Sequence, residues 1–276
     1  MLNSLGELSL PDGTPTTGVF GFTNNFLAAI DEVKPTHCVV VYDAGGNFRK
    51  EQSTEYKANR RKNSDAFYVE AEAVKREILP AFGIKTVGVK GVEADDVIFT
   101  LAHTMAPQFD EIIILTCDQD ILQCVTDKVK VLLFNSAKKK VMMGVDETRE
   151  KLGVEPKDIP MLKALAGDGS DNISGIKGIG NKTAVKILTE CEFDWSRVLQ
   201  HKKVADYSDF AESNLELTKS VYVSSVLTMN PEEARLGGGT FQLVDYVLEK
   251  FHFKTMQKRR AKILKSLDIN DGTKNN

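Results

Sequence analysis

Glu111-Ile112-Ile113-Ile114-Leu115-Thr116-Cys117-Asp118-Gln119-Asp120 is the stretch that decides the fold. A short apolar run rich in β-branched residues, halted by acids, has the pattern of a buried parallel strand. Asp118 and Asp120 are two apart at its end, so their side chains point the same way. Working outward, His37–Tyr42 is a similar run that stops at Asp43, and Ile84–Val89 and Val129–Phe134 complete the set of strands. Between them the apolar spacing predicts helices over Val19–Val33, ended by Pro35, and over Ala66–Leu79, stopped at Pro80. Another helix opens at Gly91-Val92-Glu93-Ala94-Asp95-Asp96-Val97-Ile98 and runs to about Met105. Strand alternating with helix implies an α/β fold, a mostly parallel sheet with helices on both faces. Ligands of such sheets bind beyond the carboxyl ends of the strands.

That rule gathers the acids. Asp43 and Asp118 sit at strand ends, Glu93, Asp95 and Asp96 in a strand-to-helix connection, and Asp168 and Asp171 in the turn Gly167-Asp168-Gly169-Ser170-Asp171-Asn172. Glu93 and Asp96 are three apart and share a helix face. Each cluster alone could be a helix start or a turn, where acids are common. Eight carboxylates converging on one sheet edge instead suit two hard cations, with Mg²⁺ or Mn²⁺ matching all-oxygen ligation. Two such ions can clamp both oxygens of an in-line displacement at phosphate.

After about residue 145 the pattern turns helical, with an apolar Ile159–Ala166, a helix over Asn181–Leu188, and further helices over Asn214–Leu227 and Leu243–Phe251 around a Gly237-Gly238-Gly239 loop. Gly175-Ile176-Lys177-Gly178-Ile179-Gly180 followed by Asn181-Lys182-Thr183-Ala184 has the form of a helix-hairpin-helix. Its glycines let backbone approach a partner, and amides at the next helix start can hold a phosphate without reading sequence. It is not a P-loop, because Lys182 does not directly follow the last glycine. A basic segment over residues 49–62 (Arg49, Lys50, Lys57, Arg60, Arg61 and Lys62) is interleaved with Phe48 and Tyr56. Such a segment can neutralise phosphates and stack an unpaired base, or simply be a solvated face. Residues 254–265 are basic as well and read as a solvated amphipathic helix.

Composition excludes several classes. The 276 residues carry a formal net charge of -3, with 42% hydrophobic and 27% charged residues. The molecule is no simple polycation, so any nucleic-acid surface must be local. No apolar stretch approaches a membrane span, and the first residues lack a signal-peptide pattern. Cys38, Cys117, Cys124 and Cys191 form no C-x-x-C and read as reduced packing residues of a cytoplasmic protein.

The ordered motifs resemble the 5′-to-3′ exonuclease and flap endonuclease family, including the 5′-nuclease domain of bacterial DNA polymerase I and stand-alone phage and bacterial relatives. The resemblance is carried by Val-Tyr-Asp at 41–43, Phe-Arg at 48–49, Glu-Tyr-Lys-Ala-Asn-Arg at 55–60, Gly-Val-Glu-Ala-Asp-Asp at 91–96, Thr-Cys-Asp-Gln-Asp at 116–120, Gly-Asp-Gly-Ser-Asp-Asn at 167–172 and the glycine hairpin at 175–184. It implies a PIN-like, resolvase-like nuclease core over 1–150, with a basic helical arch at about 45–80. A helical DNA-binding subdomain over 151–267 would follow, with its hairpin at about 173–190, and then a flexible tail over 268–276. One metal site would draw on Asp43, Glu93, Asp95 and Asp118, and a second on Asp118, Asp120, Asp168 and Asp171, with Asp96 nearby. Lys57 and Arg60 would act at the scissile phosphate. Arg49, Tyr56 and Arg61 would join them on the 5′ strand, and Gly175, Lys177, Gly178, Gly180, Lys182 and Thr183 would grip the duplex, where potassium is often held by backbone carbonyls. The implied partner is DNA with 5′ ends, flaps or nicks, with RNA in hybrids a further candidate. The implied setting is a monomer in a bacterial or phage-infected cytoplasm, beside a replication polymerase.

One departure from the family pattern stands out. Family members begin with a strand ending in Asp-Gly, then a helix bearing an arginine. Here Asn3–Glu7 looks like the loop after that helix, and Asp12-Gly13-Thr14 mimics the motif without the helix. A central strand and one metal ligand are therefore expected to be missing, to be encoded upstream, or to come from another chain. Two other functions compete with the nuclease: a structure-specific DNA-binding protein with impaired catalysis, and a PIN-like ribonuclease, which would leave the glycine hairpin and basic segment unexplained.

Overall fold

In the computed structural model, residues 8–134 and 140–272 are described. The loop expected over residues 3–7 and the last four residues of the tail lie outside them. Residues 8–16 make a turn closed by a Ser9–Pro15 bridge, with Asp12-Gly13 at its tip. Helix α1 (Thr17–Val33) buries Val19, Phe26, Leu27 and Ile30 and ends at a left-handed Lys34, one residue before Pro35. Strand β1 (Val39–Val41) follows, then a short α2 (Phe48–Gln52), then α3 (Asp65–Ala73), capped by the Ser64 side chain. The helical path does not stop before Pro80. It widens into a π turn over Val74–Ile78 and continues as α4 (Leu79–Ala81). Proline lacks an N–H and crowds the carbonyl four residues back, and a wide turn absorbs both effects.

Strand β2 (Lys85–Val87) pairs with β1 in parallel, Val40 opposite Thr86. Helix α5 runs over Ala94–Met105 as its spacing predicts. Strand β3 (Ile112–Thr116) pairs in parallel with β4 (Val129–Phe134), Ile114 opposite Val131. An antiparallel strand absent from the sequence reading, β5 (Lys140–Met143), completes that sheet in the order β3-β4-β5. The parallel pairings expected from the sequence are present, but the strands form separate small sheets rather than one.

The remainder is helical: α6 (Val145–Leu152), α7 (Ile159–Ala166), a two-residue pair β6 (Gly167–Asp168) and β7 (Ile173–Ser174), α8 (Asn181–Glu190), α9 (Trp195–Gln200), α10 (Ser208–Thr218), α11 (Phe241–Lys250), α12 (Lys254–Gln257) and α13 (Arg260–Ser266). The helix expected over Asn214–Leu227 begins six residues earlier and ends at Thr218. Its would-be continuation is extended because side chains elsewhere claim its peptide groups. The Arg49 guanidinium donates to Lys219 O, the Ser220 amide donates to Gln123, the Val221 amide to Asp96, and the Val223 amide to Thr100. The basic stretch 254–265 is two short helices, not one. The expected tail is tied down as far as it is described: Ile269 is buried and Arg260 pairs with Asp271.

The chain divides into two compact units, each assembled from separate stretches of sequence. One contains residues 8–42, 62–87 and 229–272, and its core joins Val19, Phe26, Ile78 and Phe82 to Val244, Leu248 and Leu264. The other contains residues 43–61 and 88–228, with a core of Ile121, Leu122, Val131, Leu165, Ile187 and Leu188. The expected arch at 45–80 is divided between them. All eight acids of the sequence reading, and the basic residues 49–61, fall in the second unit.

Candidate metal centre and nucleic-acid interface

Glycines bring the first acids together. Gly91 donates to Gly45 O, and its own carbonyl accepts from Phe48 N, while a Cβ on Gly46 would stand 3.1 Å from Gly91. This close crossing lays residues 43–49 beside the start of α5. Glu93 is the N-cap of α5 but does not cap it with its side chain. Asp43 does so, accepting from the Ala94 amide at 2.8 Å. The helix-start reading of the acids therefore holds for Asp43, which is otherwise exposed.

Helix periodicity then separates neighbours. Asp96 is fully buried and chelated by Arg49, itself 4% exposed, at 2.6 and 2.8 Å, and it also accepts from Val221 N at 3.0 Å. The Asp96 carboxylate raises the Arg49 pKa against the lowering effect of burial. Arg49 also donates to Glu93 at 3.1 Å. Glu93 and Asp96 thus share a face, and what they share is a guanidinium. Asp95 points elsewhere. Its burial, and then repulsion from Asp118, push its pKa up to about 7, against the pull of Lys57.

The Tyr56-Lys57-Arg60 block folds onto the carboxylates. The Tyr56 hydroxyl, 3% exposed as a residue, lies 2.8 Å from a Glu93 oxygen and 2.9 Å from an Asp171 oxygen, so its single proton is shared between the two carboxylates, and burial beside these acids raises its pKa. Lys57, in a left-handed backbone conformation, pairs with Glu93 and lies 3.4 Å from Asp171. Arg60 donates to Asp171 at 2.7 Å. Arg61 is exposed, at the edge of this unit.

Asp118 anchors the end of β3 by accepting from the Asp120 amide at 2.9 Å. Asp120, Asp168 and Asp171 each offer an oxygen, and all three oxygens lie within 4.8 Å of one another. Among the described residues this is the one group of three acids so closely spaced. Asp43, Glu93, Asp95 and Asp118 do not reach that spacing as a group, and their electrostatic influence meets at Asp95. Lys163 from α7, which the sequence reading passed over, donates to Asp120 and, at 2.6 Å, to Asp168. Burial pushes the Asp120 pKa up to about 6 despite Lys163, with Asp118 and Asp168 adding repulsion. Asp168 is also pushed up by burial, but Lys163 and Ser170 more than offset this and hold it at about 2. A small pocket is lined by Glu93, Asp95, Asp120, Asp168 and Asp171 together with Tyr56 and Lys163. Three oxygen donors at ligand spacing, amid buried acids that repel one another, fit a hard divalent ion.

The glycine hairpin between α7 and α8 is pinned by Ile176 and Ile179, both buried. Its glycines do different things. A Cβ on Gly175 would fall 2.3 Å from the Ala166 backbone, and Gly178 has φ +83. A Cβ on Gly180 would meet nothing within 4 Å. Lys177, Gly178, Gly180 and Lys182 are exposed and Thr183 is half-buried. The cysteines are all free, and Cys117, beside Asp118, is exposed rather than packed. No helix among the described residues is long and apolar enough to cross a membrane.

The fold has solved counterparts. The T5 5′-exonuclease, solved as a mutant, superposes with a TM-score of 0.62 at 20% identity, over 91% of this chain and 93% of that one. The T5 D15 protein co-crystallised with metal ions gives 0.63 at 20% identity, over 90% of each chain. At such identities the likeness is one of fold. Residues 2–153 match the description 5′-3′ exonuclease, N-terminal resolvase-like domain, and residues 154–230 match 5′-3′ exonuclease, C-terminal SAM fold. The chain belongs to the 5′-3′ exonuclease family. A 5′-3′ exonuclease of Bacillus subtilis is 41% identical over 182 residues, 65% of this chain and 61% of that protein. One from Aquifex aeolicus is 30% identical over 269 residues, 95% of this chain and 91% of that protein. DNA polymerase I of Chloroflexus aurantiacus is 39% identical over 182 residues, 64% of this chain but only 19% of the polymerase.

Proposed function

We propose that this protein is a divalent-metal-dependent nuclease that hydrolyses phosphodiesters of branched or 5′-ended DNA. The observation that carries this reading is the convergence of Asp120, Asp168 and Asp171 to within 4.8 Å, in a pocket shared with Glu93 and Asp95. The names of its exonuclease relatives and the metal ions in T5 D15 crystals support it. Charge gives further support. Five of the eight acids, Glu93, Asp96, Asp120, Asp168 and Asp171, pair with four cationic side chains, Arg49, Lys57, Arg60 and Lys163. With every acid ionised, the eight exceed those cations by four charges, the charge of two divalent ions, and such ions would also drive off the protons that burial favours on Asp95 and Asp120.

Asp120, Asp168 and Asp171 would hold one ion, and Asp95, Asp118, Glu93 and Asp43 are proposed to hold another after modest side-chain rotation. Such ions, when bound, neutralise charge at the phosphodiester and acidify water. Lys57 and Arg60, long side chains now paired with Glu93 and Asp171, would turn to the scissile phosphate and stabilise its added charge. Tyr56 would fix their orientation from below. Exposed Lys177 and Lys182, with the bare backbone of Gly178 and Gly180, would hold the duplex by its phosphates, where a potassium ion is a candidate companion.

The test is cleavage of 5′-flap and nicked duplexes beside a gel shift on the same DNA. EDTA should abolish cleavage, and Mg²⁺ or Mn²⁺ should restore it. Asp118→Ala should lose cleavage while still binding the junction. Cleavage that persists in EDTA, or a fully active Asp118→Ala, would sink the proposal. Binding with no cleavage by the wild type would instead favour a DNA-binding role.

A further inference from the structure

Lys163 is out of place by ordinary rules. It sits on α7 among Leu162, Ala164 and Leu165, all buried, yet its ammonium reaches into the acidic pocket. There it donates to Asp120 Oδ1 and to Asp168 Oδ2. These are two of the three residues whose oxygens cluster within 4.8 Å. The ammonium therefore already bonds two of the three carboxylates that a divalent ion would need. The lysine head is a compact charge on a flexible four-carbon stem, able to withdraw without backbone movement.

We infer that Lys163 is a resident counter-ion that a divalent metal must displace from Asp120 and Asp168, so that this residue sets the ion concentration at which the cluster fills. The inference rests on the proposed metal-dependent reading and adds a positioning residue to it. With Lys163 in place the three acids are held together in the ion-free protein, because a positive charge among them offsets their repulsion. The same charge opposes an incoming cation. A doubly charged ion, with three carboxylate oxygens, outbids a single ammonium with two. A monovalent ion has no such advantage, so the lysine also keeps sodium and potassium out of this cluster.

The experiment is direct Mn²⁺ binding without DNA, by calorimetric titration or by the electron paramagnetic signal of free Mn²⁺. Asp171→Asn identifies the component that reports this cluster. Lys163→Met should tighten that component by about tenfold, since a like charge within a few ångströms shifts ionic equilibria by tenfold or more. Lys163→Gln, which keeps polar contacts should the Met variant fail to fold, should tighten it in the same direction. Lys163→Arg, retaining the charge, should bind no tighter than wild type. A merely structural lysine would leave the affinity unmoved. Unchanged or weaker binding in both neutral variants, with wild-type binding intact, overturns the role of Lys163 and leaves the metal reading standing. Absence of any Asp171-dependent Mn²⁺ binding in the wild type overturns both.

Discussion

Replacing Arg49 with methionine probes the most heavily connected side chain of the site. The change removes two hydrogen bonds to Asp96, one to Glu93 and one to Lys219 O. Glu93 keeps Tyr56 and Lys57, but the fully buried Asp96 keeps only the Val221 amide and the low-dielectric surroundings. Removing one member of a buried ion pair costs about 3–5 kcal/mol, because the survivor is left charged and unpaired. For a domain of this size that is a fall in melting temperature of roughly 10 °C. Adding Asp96→Asn removes the stranded charge, so the double variant should recover at least ~1.5 kcal/mol, the coupling expected of residues in one network. Urea unfolding of the wild type, both single variants and the double variant closes the cycle. A loss below ~1 kcal/mol in Arg49→Met, or no recovery in the double variant, would refute the argument that this pair ties residues 219–221 to α5.

Three further outcomes follow from the same geometry. Asp95 and Asp120 have folded-state pKa values raised to about 7 and about 6, so the ion-free native state holds protons that the unfolded chain has shed. Their contribution is favourable at low pH and is lost as pH rises through 6 to 7, whereas that of Asp168, held at about 2, is lost only as pH falls toward 2. The urea midpoint in EDTA should therefore drop between pH 5 and pH 8 and flatten with Mn²⁺; a rise over that range would contradict the account. Gly175→Ala should destabilise by about 2 kcal/mol or more, since its Cβ meets backbone at 2.3 Å, while Gly180→Ala, with open space, should stay within about 0.5 kcal/mol; equal effects in thermal melts would show the hairpin is packed otherwise. Lys177→Ala and Lys182→Ala should each lower the salt dependence of duplex binding by about one unit of slope, with melting temperature unchanged; an unaltered slope would remove them from the interface.

Much of this was legible because local and global preferences agree. The run Ile112–Thr116 is apolar, β-branched and halted by an acid, so it is a strand wherever it is placed, and Ala94–Met105 has both an acidic first turn and a helical apolar period. What was not legible depended on partners far away in sequence. The end of α10 at Thr218 is set by Asp96, Thr100, Gln123 and Arg49, each about one hundred residues or more upstream. Asp96, next to Asp95, groups with the metal-binding acids through the helix face it shares with Glu93, and the structure gives it to Arg49. One residue along a helix is a rotation of about 100°, which turns it away from Asp118 and into the core. Lys163 carried a weak signal, a single charge inside an otherwise apolar helix five residues before Asp168, and such a lysine ordinarily snorkels to solvent. Only the fold of Gly167–Ser174 back onto α7 shows what it meets.

The placement of the acids also links stability to ion binding. All eight acids of the site, and the four cations Arg49, Lys57, Arg60 and Lys163, lie within the single unit of residues 43–61 and 88–228. Concentrating eight carboxylates there opposes folding unless positive charge is concentrated with them. Arg49, buried and chelating, is fixed in that role. Lys57, Arg60 and Lys163 are long, meet their acids through one or two contacts each, and can leave. The unit thus separates a permanent counter-ion, which holds α5 and residues 219–221 in place, from exchangeable ones. A ligand that binds only the native state stabilises it by mass action, so ions that replace the exchangeable cations should raise stability and free Lys57 and Arg60 in one event. The two side chains proposed to meet the phosphate would then become available only once the site has its ions.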